Sequence, residues 1–353
     1  MSRRLKGLLC LALKSPSYVA ETTSGATVRP VITADPDFWN PDKALKRVRD
    51  QPRIQIGGPL PPEYLDALKA ASRQYPDKEL HVYGNAFGGN LEVLAGFEHV
   101  HNLLIDVFEA TAFDVLAGFG ELRRLGIGAT RSTKPSMAFL VNCPKIERVW
   151  LQGKNKGLDA LGALQRLVEL RLENLKAKSL SFLAGHPSLE RLEILYASTT
   201  DLGPLGEMPR LRRLWVARIR GLTSDDLAPL SGSTLDMLAL NDAPKIEDLA
   251  PLGRPNVRHL SLDNAPNLRT LAPLCGWPSL EVLGLRNAVP RDGSLVEVAR
   301  MPTLRHLAIA APVVANELRA IQAVFQGESI WYRGEYLWGS DRPMDIIAER
   351  DQL

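Results

Sequence analysis

The phrase L-x-x-L-x-L, with Ile or Val accepted for Leu, constrains the fold of this chain more than any other feature of its sequence. It occurs ten times, with its first apolar position at Val100, Leu122, Ile146, Leu167, Leu189, Leu211, Leu235, Val257, Leu280 and Leu304. The copies are 21 to 24 residues apart, and self-similarity at such a period marks a repeat architecture. Because a solenoid grows by addition of copies, the length of 353 residues does not by itself require two domains.

The phrase also predicts how each copy folds. Its last residues suit a short strand, in which period-2 alternation sends the leucines inward and the intervening residues to the opposite face. Stacked copies then form a parallel sheet with a continuous apolar ladder. We predict that Leu192, Leu214, Leu238 and Leu260 are buried in one column of that ladder.

Proline punctuates the repeats at two places. It stands two residues before the first apolar position at Pro144, Pro187, Pro209, Pro255, Pro278 and Pro302, where it ends any preceding helix. The second half of several repeats reads leucine, any residue, proline, leucine, at residues 202–205, 227–230, 249–252 and 271–274. Proline in so short a segment disfavours a regular α-helix, so we expect extended chain or single 3-10 turns there.

These ten copies resemble leucine-rich repeat proteins of the short-repeat, internalin-like bacterial type, over about two-thirds of the chain. The resemblance implies an α/β repeat fold: a right-handed leucine-rich repeat solenoid with a concave parallel β-sheet, a mostly irregular or 3-10 convex side and a cap at each end. It also implies a non-catalytic protein–protein recognition scaffold. One departure concerns the ninth repeat position, where many family members place Asn or Cys. Here that position holds Ala197, Ala243, Ala265 and Ala288, and Asn174, Asn264 and Asn287 stand one place earlier, so we expect the turn to be held differently.

The pattern predicts four segments. Residues 1–52 form an irregular N-terminal arm with a short basic helix near 43–49, and residues 53–98 form an N-terminal cap and degenerate first repeat. Residues 99–326 hold the repeats, and residues 327–353 form a C-terminal cap and tail. Within the caps we expect a strand at 53–57, a helix from Pro62 to about Tyr75 and a helix at 316–325. The aromatic-rich stretch 330–338 suits a strand or hairpin that covers the last sheet edge, with a separate ligand site as the alternative.

Composition and charge limit the cellular compartments and the classes of binding partner that suit this chain. The net charge of +3 does not by itself suggest a polyanion binder, and three cysteines are too few for a disulfide framework. Arg3, Arg4 and Lys6 before the apolar run Gly7–Leu13 look like the start of a signal peptide, but the run is short and no cleavage site follows promptly. No stretch approaches the ~20 apolar residues of a membrane span. We therefore predict a cytoplasmic protein, with an exported surface or adhesion protein as the alternative.

Candidate chemistry is sparse. The sequence has no phosphate-binding glycine loop, no G-x-S-x-G elbow and no H-E-x-x-H pair. His99 and His101 without a third ligand make a weak metal site, and we interpret them as ordinary surface residues. Cys143 lies inside the repeats, which favours a buried structural thiol over the nucleophile of a cysteine-dependent ligase. We predict no catalytic residue, cofactor or metal.

The informative surface is the strand face opposite the leucine ladder. Its central residues are rich in Arg, Glu and Trp, and we predict that a partner protein contacts Arg124, Arg148, Trp150, Arg171, Glu193, Arg213 and Trp215. Trp and Arg are enriched at binding hot spots, and we expect both tryptophans to be exposed with the anchor of the partner between them. The alternative is that Arg and Glu on neighbouring strands pair with each other. Nucleic acid fits poorly, because Glu169, Glu173 and Glu193 interrupt the arginines.

Overall fold

The structure is a computed structural model that describes residues 40–84, 88–132, 134–333 and 335–339, the last five by their backbone. The predicted features of residues 1–39 and 340–353 lie outside the described residues. The chain forms two compact units. The N-terminal unit comprises the described residues up to Ala177 with His186–Leu189, and the C-terminal unit comprises Lys178–Gly185 and the described residues from Glu190 onward.

The N-terminal unit is built on parallel strands that follow one another in chain order. They are β1 (Arg53–Ile56), β2 (Glu79–Tyr83), β3 (Asn102–Asp106), β4 (Arg124–Ile127), β5 (Arg148–Gln152) and β6 (Glu169–Glu173). Leu103, Leu125, Val149 and Leu170 are register partners and are almost fully buried. The residues between the apolar positions are mostly half-buried, so burial alternates along each strand as the phrase predicts.

Two helices precede the repeats of this unit. Helix α1 (Ala44–Asp50) follows a 3-10 turn at Pro41–Lys43, and α2 (Pro62–Ser72) begins with a proline in its first turn, where no backbone N–H is needed. Tyr64 and Leu68 are buried, and Arg47 Nη1 donates a hydrogen bond to Tyr64 Oη at 2.9 Å. The predicted basic helix and the predicted helix after Pro62 are confirmed, although α2 ends at Ser72.

The remaining connections in the N-terminal unit are short. They are the 3-10 turns Leu91–Leu94, Phe113–Gly118 and Met137–Asn142 and the single-turn helix α3 (Asp159–Gly162). Side chains start two of the turns, since Asn90 Oδ1 accepts from Glu92 N at 3.0 Å and Ser136 Oγ accepts from Ala138 N at 3.2 Å. Such N-terminal caps satisfy donors that short turns otherwise leave unpaired.

The C-terminal unit is also built on strands that follow one another in chain order, and eight of them are described. They are β7 (Arg191–Leu195), β8 (Arg213–Ala217), β9 (Met237–Asn241), β10 (His259–Asp263), β11 (Val282–Arg286), β12 (His306–Ile309), β13 (Ser329–Tyr332) and β14 (Glu335–Gly339). Strands β7 to β13 pair in parallel. The predicted core column is confirmed: Leu192, Leu214, Leu238 and Leu260 are consecutive register partners and at most 2% exposed.

Short helical pieces connect these strands. Four are 3-10 turns, at Ser181–Leu183, Asp225–Gly232, Ala250–Leu252 and Ala272–Gly276, and three are helices, α4 (Gly203–Gly206), α5 (Ser294–Ala299) and α6 (Ala315–Val324). Most successive pieces pack against each other. The 3-10 expectation holds for three of the four proline-containing segments, and the fourth forms the single turn α4 with Pro204 at its start.

A left-handed residue follows many of the strands in both units. In the C-terminal unit these residues are Tyr196, Arg218, Asp242, Asn264, Asn287 and Arg333, with φ between 48° and 55°. The backbone N–H of each of the first four donates to the last carbonyl of the next strand, as from Asn264 N to Arg286 O at 2.7 Å. Asn and Asp tolerate this conformation better than most residues, which explains why Asn stands one place earlier than in the family pattern. The alanines at the ninth position are buried as an apolar column.

A hairpin closes the C-terminal unit. Strand β13 pairs in parallel with β12, and β14 folds back antiparallel on β13. Ile330 extends the leucine ladder as the register partner of Leu307 and is fully buried. The sequence-based expectation of a strand or hairpin at 330–338 is therefore confirmed.

Candidate functional site

The N-terminal strand face consists of the side chains of β2 to β6 that point away from the leucine ladder. Its middle column runs through His81, Leu104, Gly126, Trp150 and Arg171, which are register partners on consecutive strands. All five are half-buried. Since rigid paired strands carry these residues, their backbone positions are fixed before any ligand arrives.

Trp150 is held by groups above and beside its ring. A Cβ added to Gly126 would lie 2.7 Å from Leu104 Cδ1 and 3.1 Å from Trp150 Cε3, so glycine leaves room for the indole to rest between neighbouring strands. The indole Nε1 donates to Glu173 Oε1 at 3.0 Å. The same carboxylate oxygen accepts from Arg171 Nε at 2.6 Å, and Glu173 is 7% exposed. The indole is thus locked by a charge-assisted pair while its ring stays partly open to solvent.

Arginines line one side of this column. Arg124 and Arg148 are register partners, and Arg148 Nε lies 3.4 Å from Glu169 Oε2 on the next strand. The Arg148 and Glu169 side chains are 40% and 18% exposed, so this pairing adds little stability. The expected pairing of Arg with Glu across neighbouring strands exists between Arg148 and Glu169, whereas Arg171 pairs with Glu173 on its own strand. Arg124 and Arg148 form a basic edge beside the half-buried indole of Trp150.

Leu104 and Tyr83 belong to this face, although sequence reasoning did not single them out. Leu104 is half-buried beside Gly126, and the Tyr83 ring lies 5.0 Å from that of His81. The signal was available, because both occupy positions between the inward apolar residues of their strands. An apolar residue at an outward position resembles a core residue in the sequence, so its place on this face is evident only from the strand register.

The C-terminal strand face is different. Trp215 pairs with Glu193 on one side and Ala239 on the other, and it is 8% exposed, in a buried cluster with Leu195, Ala217, Met237 and Ala239. The expectation that Trp215 is exposed is therefore wrong. Glu193 is half-buried and Arg213 is exposed. Trp150 and Trp215 belong to different units, so an anchor between them stays a prediction.

The two cysteines of the described residues differ in exposure. Cys143 is fully buried, its Sγ lies 4.0 Å from Phe139 O, and burial raises the pKa of its thiol to about 11. The expectation that Cys143 is buried is confirmed. Cys275 is exposed, and partial burial also raises the pKa of its thiol.

The two neighbouring histidines turn to different partners. Nε2 of His99 is 2.8 Å from Ser72 Oγ, whereas Nδ1 of His101 is 2.6 Å from Asp77 Oδ1. Among the described residues no group of three or more His, Cys, Asp and Glu side chains has a metal-binding arrangement. Within that same part of the chain, no helix combines the length and apolar character of a membrane span.

Comparison with solved structures places the fold. An internalin (inlF) from Listeria monocytogenes matches with a TM-score of 0.53 and 16% identity, over 81% of this chain and 88% of that chain. An internalin C2 from the same organism matches with a TM-score of 0.39 and 19% identity, over 57% of this chain and 81% of that chain. A leucine-rich repeat protein from Leptospira interrogans, LIC12759, matches with a TM-score of 0.35 and 12% identity, over 82% of this chain and 98% of that chain. No family model and no curated protein matches the chain. The likeness to the first internalin and the strand stacking together make the chain a leucine-rich repeat solenoid.

Proposed function

We propose that the chain is a non-catalytic recognition scaffold that binds a partner protein through its N-terminal strand face, with Trp150 as the anchor. The observation that carries the proposal is the seat of the Trp150 indole between Gly126, Leu104 and Glu173. An aromatic side chain that is held rigidly yet remains partly open loses little conformational freedom when a partner covers it.

The side chains of the N-terminal strand face indicate which groups a complementary partner presents. Leu104 and Trp150 offer an apolar strip, and Arg124 and Arg148 offer a basic edge beside it. A complementary protein presents an apolar residue to the strip and a carboxylate to the arginines. Apolar anchors contribute most of the affinity at such interfaces, whereas rim charges mainly set the association rate and the register.

The remaining predicted contacts and the cytoplasmic location belong to the same proposal. Arg171 supports the anchor through Glu173, and Glu193 and Arg213 are the proposed contacts in the C-terminal unit. The low cysteine content favours a reducing compartment, and fractionation of the source cells with antibody detection tests this location.

An affinity pull-down tests the proposal. The wild-type chain and the Trp150→Ala variant serve as baits in a lysate of the source organism, and the affinity of each captured protein is then measured with purified components. We expect the variant to lose at least ~2 kcal/mol of affinity, about thirtyfold, because the apolar anchor is removed.

Phe108→Ala is the matched control, since Phe108 is an exposed aromatic residue of the same unit that lies outside the strands. Thermal melting of all three proteins reports whether they fold alike. A partner that binds Trp150→Ala as tightly as wild type would place recognition away from this face.

A further inference from the structure

Three loops of the N-terminal unit carry positive charge and no negative charge. They follow the carboxyl ends of β4, β5 and β6, at residues 128–136, 153–158 and 174–177. All of their charged side chains are cations, namely Arg131, Lys134, Lys154, Lys156 and Lys176. The turns after β8 and β9 in the C-terminal unit carry both signs instead, and Arg218 Nε lies 2.6 Å from Asp242 Oδ2 there.

Four of the five cations are exposed, and we call them the basic loop surface. The side chain of Arg131 is 73% exposed, although its Nη1 lies 3.1 Å from Glu109 Oε1. Lys134, Lys156 and Lys176 are exposed and make no ion pair with another residue that the structure describes. Their ammonium groups are therefore available to an anionic ligand.

The fifth cation is buried among the same loops. Lys154 is 2% exposed, and its Nζ donates to Gly128 O, Thr130 Oγ1 and Gln152 O, which are all neutral oxygens. A fully buried lysine usually has a charged partner, and water and salt screen a buried charge less than an exposed one. Because none of its three acceptors supplies a negative charge, Lys154 adds to the positive potential of the basic loop surface.

Hydrogen bonds hold the loops to one another. Lys156 O accepts from Met137 N at 2.8 Å, and Asn155 Oδ1 accepts from Lys176 N at 2.6 Å. The cations are thus presented on a connected backbone rather than on independent loops. A single exposed ion pair contributes little, whereas several pairs formed with one partner act together.

We propose that the basic loop surface binds an acidic peptide segment of a partner protein, which goes beyond the proposed function because the loops are separate from the strand face. The composition of the loops favours a peptide over other anions. They contain no aromatic residue on which nucleic-acid bases could stack. Their leucines, Leu158 and Leu175, are buried and cannot insert into a bilayer. The surface therefore offers charge pairing alone, which suits the carboxylates of Asp and Glu.

The spacing of the loops suits an extended segment. Neighbouring strands of a sheet lie ~4.8 Å apart, so the loops after β4 and β6 are separated by roughly 10 Å. Side chains on one face of an extended peptide repeat every ~7 Å. Two or three acidic side chains of one segment therefore reach cations from all three loops.

Fluorescence anisotropy with the full chain tests the proposal. The probe is a fluorescein-labelled hexaglutamate peptide, titrated with protein at neutral pH in ~50 mM NaCl, where ionic interactions are weakly screened. We expect saturable binding that weakens as salt is added. Lys134→Glu/Lys156→Glu/Lys176→Glu should lose at least ~tenfold in affinity, because three attractive charges become repulsive.

The matched control is Lys46→Glu/Arg73→Glu/Arg166→Glu, which changes the net charge equally at exposed positions of the same unit. It should lose less than about threefold, and thermal melting shows whether all variants fold alike. Trp150→Ala should bind the peptide like wild type, whereas a loss there would assign the peptide to the strand face and overturn the proposal.

Three further outcomes would also overturn it. The first is an absence of binding to the wild-type chain, and the second is an equal loss in the two triple variants, which would reduce the effect to net charge. The third is tighter loop-dependent binding of oligothymidylate or of phosphatidylserine vesicles than of hexaglutamate, which would assign the surface to nucleic acid or to a membrane.

Discussion

Lys154 is a charged side chain buried in the N-terminal unit, with 2% of its surface exposed. It follows the left-handed Gly153, and its Nζ donates to Gly128 O at 2.9 Å, Thr130 Oγ1 at 3.0 Å and Gln152 O at 2.9 Å. The ammonium group thus joins the ends of two neighbouring strands. Burial lowers the pKa of Lys154 from 10.5 to about 8, because desolvation disfavours the charged form.

This depressed pKa predicts a pH dependence of stability. Between pH ~8 and ~10.5 the unfolded chain holds the Lys154 proton more tightly than the folded chain, so the free energy of unfolding contributed by this residue rises with pH. The total rise is on the order of 3 kcal/mol. Denaturant unfolding at several pH values should show a steeper rise for wild type than for Lys154→Met. Lys145→Met removes an exposed lysine of the same unit and serves as control; equal slopes for wild type and Lys154→Met would contradict the prediction.

The two tryptophans show what a repeat position does and does not determine. Trp150 and Trp215 occupy the same place in the phrase, and both lie on strands at that place. Trp150 lies next to Gly126 and Arg171 and stays half-buried, whereas Trp215 lies next to Ala239 and is buried. The period predicts the face on which a side chain lies. Its exposure depends on what lies across that face, which the repeat does not encode.

Turns between strand and helix are the elements where this chain departs from its family pattern. In the C-terminal unit, Asn264 Nδ2 donates to Asp242 Oδ1 and Asn287 Nδ2 donates to Asn264 Oδ1, each at 2.7 Å. Arg218 Nε donates to Asp242 Oδ2 at 2.6 Å. These left-handed residues form a polar ladder from turn to turn, with an alanine column beside it. The shifted Asn was visible in the sequence, but the left-handed geometry that explains it was not.

The terminal hairpin β13–β14 predicts the outcome of a truncation. Deletion from Ser329 onward removes Ile330 from the ladder and exposes the edge of β12, an unpaired template for other chains. We expect the truncated protein to shift from monomer to aggregate in size-exclusion chromatography and light scattering. Deletion of residues 340–353 alone keeps both strands and is the control. A monomeric product of the longer deletion with an unchanged melting temperature would show that the hairpin is not a cap.

At the scale of the molecule, the ten copies of the repeated phrase were enough to predict the strand positions, their register and the buried column from Leu192 to Leu260. The caps followed from ordinary helix and strand signals, such as the proline start of α2. Two features of the candidate surfaces were not predictable. The seat of Trp150 depends on Gly126 and Glu173, which lie 24 and 23 residues away, and the burial of Trp215 depends on neighbours that the phrase leaves variable.

Stacking of repeats also predicts how the loss of stability caused by a core substitution depends on its position in the C-terminal unit. Leu238 has Leu214 and Leu260 as partners, whereas Leu307 lies next to Ile330 of the terminal hairpin. Leu→Ala at either position should cost ~2–5 kcal/mol by leaving a cavity. Because stability in a repeat protein passes between neighbours, Leu238→Ala should cost more than Leu307→Ala in denaturant unfolding. Val314→Ala, at a position that is 69% exposed, should change stability by no more than ~0.5 kcal/mol. An equal loss at Leu238 and Val314 would refute the buried ladder, and a larger loss at Leu307 would refute the coupling between repeats.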